Sequence, residues 1–415
     1  STCFPFYGMD EDELSDLFLQ KIDETLPEEL IQTAFAEWKK EHYNRAFYIF
    51  DYTIRRNCVT GSPLSTAYYF RAFLNRNTFC DYCFKDAEYV IELNRSYVSE
   101  AWNLKGVVYE EYFGAYQDAY VCYSKAIEIG SPCGYVFYCN RASILEKHLN
   151  RMDEAESDYS MAISLKNDYV EAYSRRASFY ERRKQKYDLA LLDYNQAIAR
   201  MKTPSAHIYF NRGTLFEEHL QRPEDALRDF EKAIELDPKN GRYYNCRALL
   251  LERSFKKYDE ALQNYNMAIE LNPRYREAFF NRADLLDKRF GLYTKSIADY
   301  TSALAIEAVP KVFNNRGVVY RDHIKDYEKA LADFDKAIQL DPKYCLPYAH
   351  KAYLYLQLNN LEQAQFFAEK ALELEKANSR AHYVLGVIRY RQGEFETAFS
   401  SFERFLELGH SNPTF

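Results

Sequence analysis

One unit of about 35 residues is written again and again along this chain. Tyr258-Asp-Glu-Ala-Leu-Gln-Asn-Tyr-Asn-Met-Ala-Ile-Glu-Leu-Asn-Pro273 and Tyr327-Glu-Lys-Ala-Leu-Ala-Asp-Phe-Asp-Lys-Ala-Ile-Gln-Leu-Asp-Pro342 are two copies of it. The first alanine of the unit recurs as Ala46, Cys83, Ala119, Ala155, Ala190, Ala226, Ala261, Ser296, Ala330, Ala364 and Ala398, at intervals of 34 to 37 residues. A repeat of this length is one supersecondary unit that buries its apolar face only by stacking on its neighbours. A second small residue follows seven positions on, from Ala126 to Ala371. Seven residues are close to two helical turns, so both lie on one helix face and let another helix come near.

A second helix precedes each of these. It carries a small residue at Gly106, Ala142, Ala177, Gly213, Ala248, Ala283, Gly317, Ala352 and Gly386, with an aromatic one turn earlier in all but the last, from Trp102 to Tyr348. Pro132, Pro204, Pro238, Pro273, Pro310 and Pro342 stand between units, where proline ends one helix before the next. Each unit therefore reads as helix A, turn, helix B. The composition agrees: 38 Tyr and 29 Phe exclude a disordered chain, and 13 Gly with 12 Pro are too few for collagen or a turn-rich β sandwich. Twenty of the tyrosines fall in four repeat columns and are read as packing between helices.

The recurring order of aromatic, small, aromatic, Ala, aromatic, Ala and Pro resembles the tetratricopeptide repeat family. The resemblance implies an all-α, right-handed solenoid of about eleven units, whose helix A surfaces line a concave groove for a partner peptide or domain. The expected organisation is an N-terminal segment over residues 1–26, repeats over 27–409 and a short tail over 410–415. Within the first, Asp10–Leu26 is an amphipathic segment expected to form a helix capping the first repeat. Most early units are longer than the family's 34 residues, which suggests a longer helix A with an apolar residue in the added turn: Phe113, Leu149, Leu220, Phe255, Phe290 and Ile324. The mean spacing also suits the RNA-reading pentatricopeptide repeat. Net acidity and the paired alanines count against that reading, and scarce glycine counts against a Sel1-type repeat.

Two charge columns stand out. Arginine precedes the small residue of helix A at Arg141, Arg176, Arg212, Arg247, Arg282 and Arg316. In the same six units Asp158, Asp193, Asp229, Asn264, Asp299 and Asp333 follow the helix B anchor by three. This co-occurrence predicts structural Arg–Asp bridges, for which the planar guanidinium is suited. Four residues after the small residue come Glu110, Glu146, Glu181, Glu217, Glu252 and Asp287, and then Arg321. If that column lines the groove, it is an acidic ladder that invites a basic partner; the alternative is a solvated face paired with adjacent bases. Further groove candidates are Asn103, Asn140, Arg175, Asn211, Arg242, Asn245, Asn281, Lys311 and Asn315, with Tyr353, Tyr383 and Tyr390 as a C-terminal aromatic contact.

In one subclass of the family Lys, Asn and Arg clamp the carboxylate-ended tails of chaperones. No window here is complete: Val107 and Glu171 interrupt the set around Asn103, Asn140 and Arg175, and Cys246 the set around Asn211 and Arg242. Cys80 and Cys83 have zinc-like spacing without a second pair. No Gly-rich phosphate loop or grouped His, nucleophile and carboxylate is visible, so no enzyme activity, cofactor or metal is expected. A net charge of −8 argues against nucleic acid. No long apolar run argues for a membrane span, and nine cysteines suit a reducing, cytoplasmic setting. The apolar last helix, with Phe395, Phe399, Phe402 and Leu406, is expected to be covered by more chain, a partner or a dimer mate. The function expected is a protein-binding scaffold or adaptor. The alternatives are a structural part of a cytoskeletal or ciliary assembly and a regulatory segment of a longer enzyme.

Overall fold

The computed structural model describes Ile22, Thr25 and residues 29–56, 59–75 and 80–410. Among these every regular element is helical, and the helices form eleven antiparallel A/B pairs. The fold is an all-α solenoid of tetratricopeptide-type repeats, in which each helix packs mainly on its neighbours in sequence. The chain divides into two compact units, residues 1–215 and 216–415. The first holds the pairs that start at Leu30–Lys39 with Tyr43–Arg55 and run to Val170–Phe179 with Tyr187–Arg200. The second holds Pro223–Leu236 and the pairs from Gly241–Leu250 with Tyr258–Leu271 to Ser379–Arg391 with Phe395–His410. Helix Ala206–Glu218 crosses the division.

All eleven anchors are buried, and most of them are wholly inaccessible. The small residue of helix A meets the aromatic of helix B. A Cβ added at Gly106 would stand 2.7 Å from the ring of Tyr123. Tyr123, Tyr159, Tyr194, Tyr265 and Tyr300, with Phe230 and Phe334, are the largest fully buried side chains of this column. One anchor is imperfect: the Ser296 hydroxyl is buried without a hydrogen-bond partner where most units have alanine. Ser296→Ala is expected to stabilise the second unit by about 1 kcal/mol, because it removes an unsatisfied hydroxyl at no loss of packing. A urea midpoint that does not rise would contradict this.

The longer units do not gain a further α turn. The last turn of helix A widens instead to π geometry at Tyr109–Phe113, Tyr180–Lys184, Leu251–Phe255 and Tyr320–Ile324. Leu149, Leu220 and Phe290 lie beyond the α-helical residues, in the turn itself. The closing hydrogen bond spans six residues in these units, as from Lys186 N to Tyr180 O at 3.0 Å and from Leu292 N to Leu286 O at 2.9 Å. In 34-residue units it spans five, from Asn360 N to Tyr355 O and from Glu394 N to Arg389 O, both 2.9 Å. The extra residue is thus looped outward around the helix axis, and helix A is not lengthened by a turn. The chain then leaves through a left-handed residue, such as Gln185 at φ 53° or Lys256 at φ 57°.

The proposed capping segment Asp10–Leu26 lies outside the described residues except for Ile22 and Thr25. Ile22 is buried against Leu30, Ala34, Ala46, Ile49 and Phe50 of the first repeat. Helix A of the second repeat begins at Ser62. Residues 411–415 of the tail also lie outside the described residues.

Candidate functional site

The arginine column is a set of staples. Arg141, Arg176, Arg282 and Arg316 each donate Nε and Nη2 to both oxygens of Asp158, Asp193, Asp299 and Asp333, at 2.7–2.9 Å. Arg247 donates to the amide oxygen of Asn264 at 2.8 Å. The remaining Nη1 reaches back to helix B of the preceding repeat: Arg141 to Ser124 at 3.1 Å, Arg176 to Ser160 at 3.0 Å, Arg282 to Asn266 at 2.8 Å and Arg316 to Thr301 at 2.9 Å. Arg212 makes the same backward bond to Asn195 at 2.7 Å, and Asp229 is buried.

Three members of this column escape sequence reasoning. Arg71 grips Asp86 at 2.7 and 2.8 Å and reaches back to Asp51 at 2.7 Å. Lys105 bonds Glu88 at 2.8 Å, and Lys351 bonds Asp335. In the two lysine units helix B offers Cys122 or Phe367 in place of the aspartate, and the acid stands on the preceding helix B instead. A partly buried cation thus keeps a carboxylate partner whichever helix supplies it, as desolvated charges require. Part of the signal was available: Arg71 still precedes Ala72 and Asp86 still follows Cys83 by three, but Arg71 and Asp86 are 15 residues apart where the other pairs are 17 apart.

The carboxylate column meets the tyrosine column. Tyr123 donates its hydroxyl to Glu110 at 2.9 Å, Tyr159 to Glu146 at 3.1 Å, Tyr194 to Glu181 at 3.1 Å and Tyr265 to Glu252 at 3.0 Å. Burial, reinforced by the adjacent carboxylate, pushes these hydroxyls above their ordinary pKa, so they act as donors. Glu146 and Glu181 are themselves buried. Tyr300 bonds Asp284 rather than Asp287, whose neighbour is His323 at 3.7 Å. Glu217 stands opposite a phenylalanine position, Phe230, and among the described residues it has no hydrogen-bond partner. Burial pushes its carboxyl up to about 7.

Amides link successive helices A. Asn140 donates to Asn103 and Asn281 to Asn245, both at 3.0 Å. Asn315 donates to Asp284 at 3.1 Å. Arg175 is taken by Glu171 on its own helix at 2.6 Å, and Asn211 lies 3.0 Å from His207. Arg242 and Lys311 are exposed. Towards the C-terminus the polarity reverses. Arg321 holds both oxygens of Asp322 at 2.6 and 2.7 Å, and its Nη1 lies 3.0 Å from His350 Nδ1. Arg380 Nη1 lies 2.5 Å from the same atom. Tyr353 and Tyr383 are half-buried with ring centroids 6.2 Å apart, whereas Tyr390 is exposed beside Phe395 at 5.7 Å. Cys83 is a core residue packed on Ala72, Leu104 and Val108.

Among the described residues no helix is long and apolar enough to cross a membrane, and no cluster of His, Cys, Asp and Glu has metal-ligand geometry. Tetratricopeptide repeat models match residues 179–241 and 351–413, 230–263, and 310–344. The chain is 31% identical over 90 residues to the small glutamine-rich tetratricopeptide repeat-containing protein 2 of Saccharomyces cerevisiae, covering 22% of this chain and 26% of that protein. It is 30% identical over 127 residues to DnaJ homolog subfamily C member 7 of Homo sapiens, covering 30% of this chain and 24% of that one. The match thus spans about a quarter of the length of these relatives. The crystal structure of a tetratricopeptide repeat protein from Parabacteroides merdae aligns at 25% identity and a TM-score of 0.46, over 59% of this chain and 93% of that one. Residues 179–263, 310–344 and 351–413 are thus matched as tetratricopeptide repeats, and the buried anchors and knob-in-hole aromatics carry the same pattern through the other helix pairs.

Proposed function

We propose that the chain is a non-catalytic scaffold whose helix A surfaces hold a segment of a partner protein. One observation carries this. In the second unit, polar side chains run from one helix A to the next, through Asn245 with Asn281, Asp284 with Asn315, and Arg321 with His350 and Arg380; Asn245 and Arg321 are buried, while Asn281, Asp284, Asn315 and Arg380 are partly exposed. Helix B faces, by contrast, supply the buried anchors and tyrosines. The carboxylates Glu252, Asp284 and Asp287 remain half-exposed beside these amides, and a basic segment is the ligand they favour. The repeat matches support the reading, since the repeat stacks around its core and leaves its outer faces to partners.

The test is a photo-crosslinking amino acid placed at Asn281 or Lys311 on helix A, and at Lys336 or Leu340 on helix B, followed by capture from cell extract. Protein adducts confined to the helix A positions are expected. Equal yields at the helix B positions would overturn the assignment of the binding face. A second reading, a building block of a larger assembly, has one observation in its favour: Phe395, Phe399 and Leu406 expose an apolar stripe on the last helix.

A further inference from the structure

We propose that the outer face of helix Phe395–His410 docks one basic amphipathic helix of a partner protein, with Glu403 receiving its cation. The site lies apart from the helix A face of the scaffold reading, and it gives the apolar stripe on this helix a ligand of stated chemistry.

The first argument is what the same positions do in the inner repeats. There the residues three before, one after and eight after the helix B anchor are covered by the next helix A. Tyr293, Ile297 and Leu304 pack on a cluster that includes Val312 and Val319 of the following helix. Leu361 and Leu372 pack in the same way against Val384, Leu385 and Ile388. Around the anchor Ala398 these three places hold Phe395, Phe399 and Leu406, and they are 64%, 69% and 55% exposed. Spacings of four and seven residues keep the three on one face. The face is thus shaped for a helix, and among the described residues none covers it.

The second argument is charge. The residue five after the anchor accepts a bond from the next helix A in eight of the ten preceding repeats. The donor in each is the cation that stands before the small residue of that helix. Five acceptors are neutral, as Ser124 is to Arg141 at 3.1 Å. Three are acids and form ion pairs: Asp51 with Arg71 at 2.7 Å, Glu88 with Lys105 at 2.8 Å, and Asp335 with Lys351. At the same offset from Ala398 stands Glu403, exposed and, among the described residues, without a cation against it. It lies one turn after Phe399 and one turn before Leu406, so the charge sits within the stripe. A helix that covers the stripe therefore satisfies Glu403 with an Arg or Lys. On the covering helices of the inner repeats a buried aliphatic follows that cation by three, as Val108 follows Lys105 and Val319 follows Arg316. The ligand is an amphipathic helix with this pair on its apolar face.

The third argument chooses the occupant. Two copies of this helix laid face to face would set Glu396 and Glu403 of one against the same acids of the other, and like charges in contact oppose association. Copies stacked end on end would offer helix A of the first repeat, where Thr33 precedes the small Ala34 and brings no charge. A partner helix that carries the cation meets both demands of the face.

The experiment uses the full chain and a lactam-stapled, fluorescein-labelled peptide copying residues 98–109, whose Lys105 meets a glutamate in its own repeat. Anisotropy is read. Expected is saturable binding that weakens about tenfold in the chain variant Glu403→Lys, and about tenfold when the peptide carries Lys105→Glu. Combining the two reversals should restore affinity to within about threefold of wild type. Phe399→Asp should remove binding, while Leu340→Asp, at an exposed place on another helix B, should change it less than about twofold. Circular dichroism melts check that each variant is folded, and the charge exchange decides the matter should Phe399→Asp unfold. Absent binding by the wild type, affinity unmoved by either reversal, or no recovery when they are combined would overturn the site. Self-association of the unliganded chain in sedimentation, lost in Phe399→Asp, would overturn the choice of occupant in favour of a second copy. If peptide binding fails while Lys311 still cross-links a protein, this site falls and the scaffold reading stands.

Discussion

Asp193→Ala is expected to destabilise the first unit by about 3–5 kcal/mol, the cost of leaving a partly buried charge without its partner. Asp193 is only 2% exposed, and it accepts two bonds from Arg176 at 2.7 and 2.9 Å. Truncation strands the guanidinium between helices, with the Ser160 hydroxyl at 3.0 Å as its remaining bond. That hydroxyl carries no charge to offset the desolvation of Arg176. Two companions separate this cause from simple loss of volume. Asp193→Asn should cost less, about 1–2 kcal/mol, because Asn264 shows that an amide oxygen can serve an arginine at this position. Replacing both partners by apolar residues, as in Arg176→Met with Asp193→Leu, should cost less than Asp193→Ala alone, because no charge is left buried. Urea midpoints followed by far-ultraviolet circular dichroism give the ranking. If Asp193→Ala unfolds at the wild-type urea concentration, the staple contributes nothing.

That staple was half legible in the sequence. The pairing of Arg176 with Asp193 shows because two identities change together across units. The partners of Lys105 and Lys351 are not legible because they stand on another helix, while Cys122 and Phe367 occupy the offset that holds the aspartate elsewhere. The helix pairs themselves follow from columns of alanine and aromatic residues, since packing fixes size at each position and repetition averages out local propensity. The π turns were not legible. An inserted residue can lengthen a helix by 1.5 Å or be looped out around it. Composition does not distinguish these outcomes; the closing bond from Lys186 N to Tyr180 O does. The acidic column was found, but its partner was not. Tyr194 sits thirteen residues after Glu181, across a turn, and its ring had already been accounted for as packing.

The exception in that column gives the sharpest pH effect. Phe230 stands where other repeats place a tyrosine, and Glu217 lacks the hydroxyl that Glu252 receives from Tyr265. Burial raises its carboxyl to about 7 from an ordinary 4.5, with Glu218 adding to the shift and Arg253 opposing it. The folded state therefore holds the proton more tightly than the unfolded chain. The stability this contributes is complete below about pH 4.5 and is lost as pH rises through about 7, by up to about 3 kcal/mol. Glu217→Gln keeps the shape and removes the titration. It should leave the second unit's urea midpoint at pH 4.5 nearly unchanged and raise it at pH 8. Phe230→Tyr supplies the missing donor to the ionised form, so the carboxyl should titrate at lower pH in a carbon-13 NMR titration, and the loss of stability between pH 5 and 8 should shrink. Parallel midpoints for wild type and Glu217→Gln across that range would show that another group carries the pH dependence.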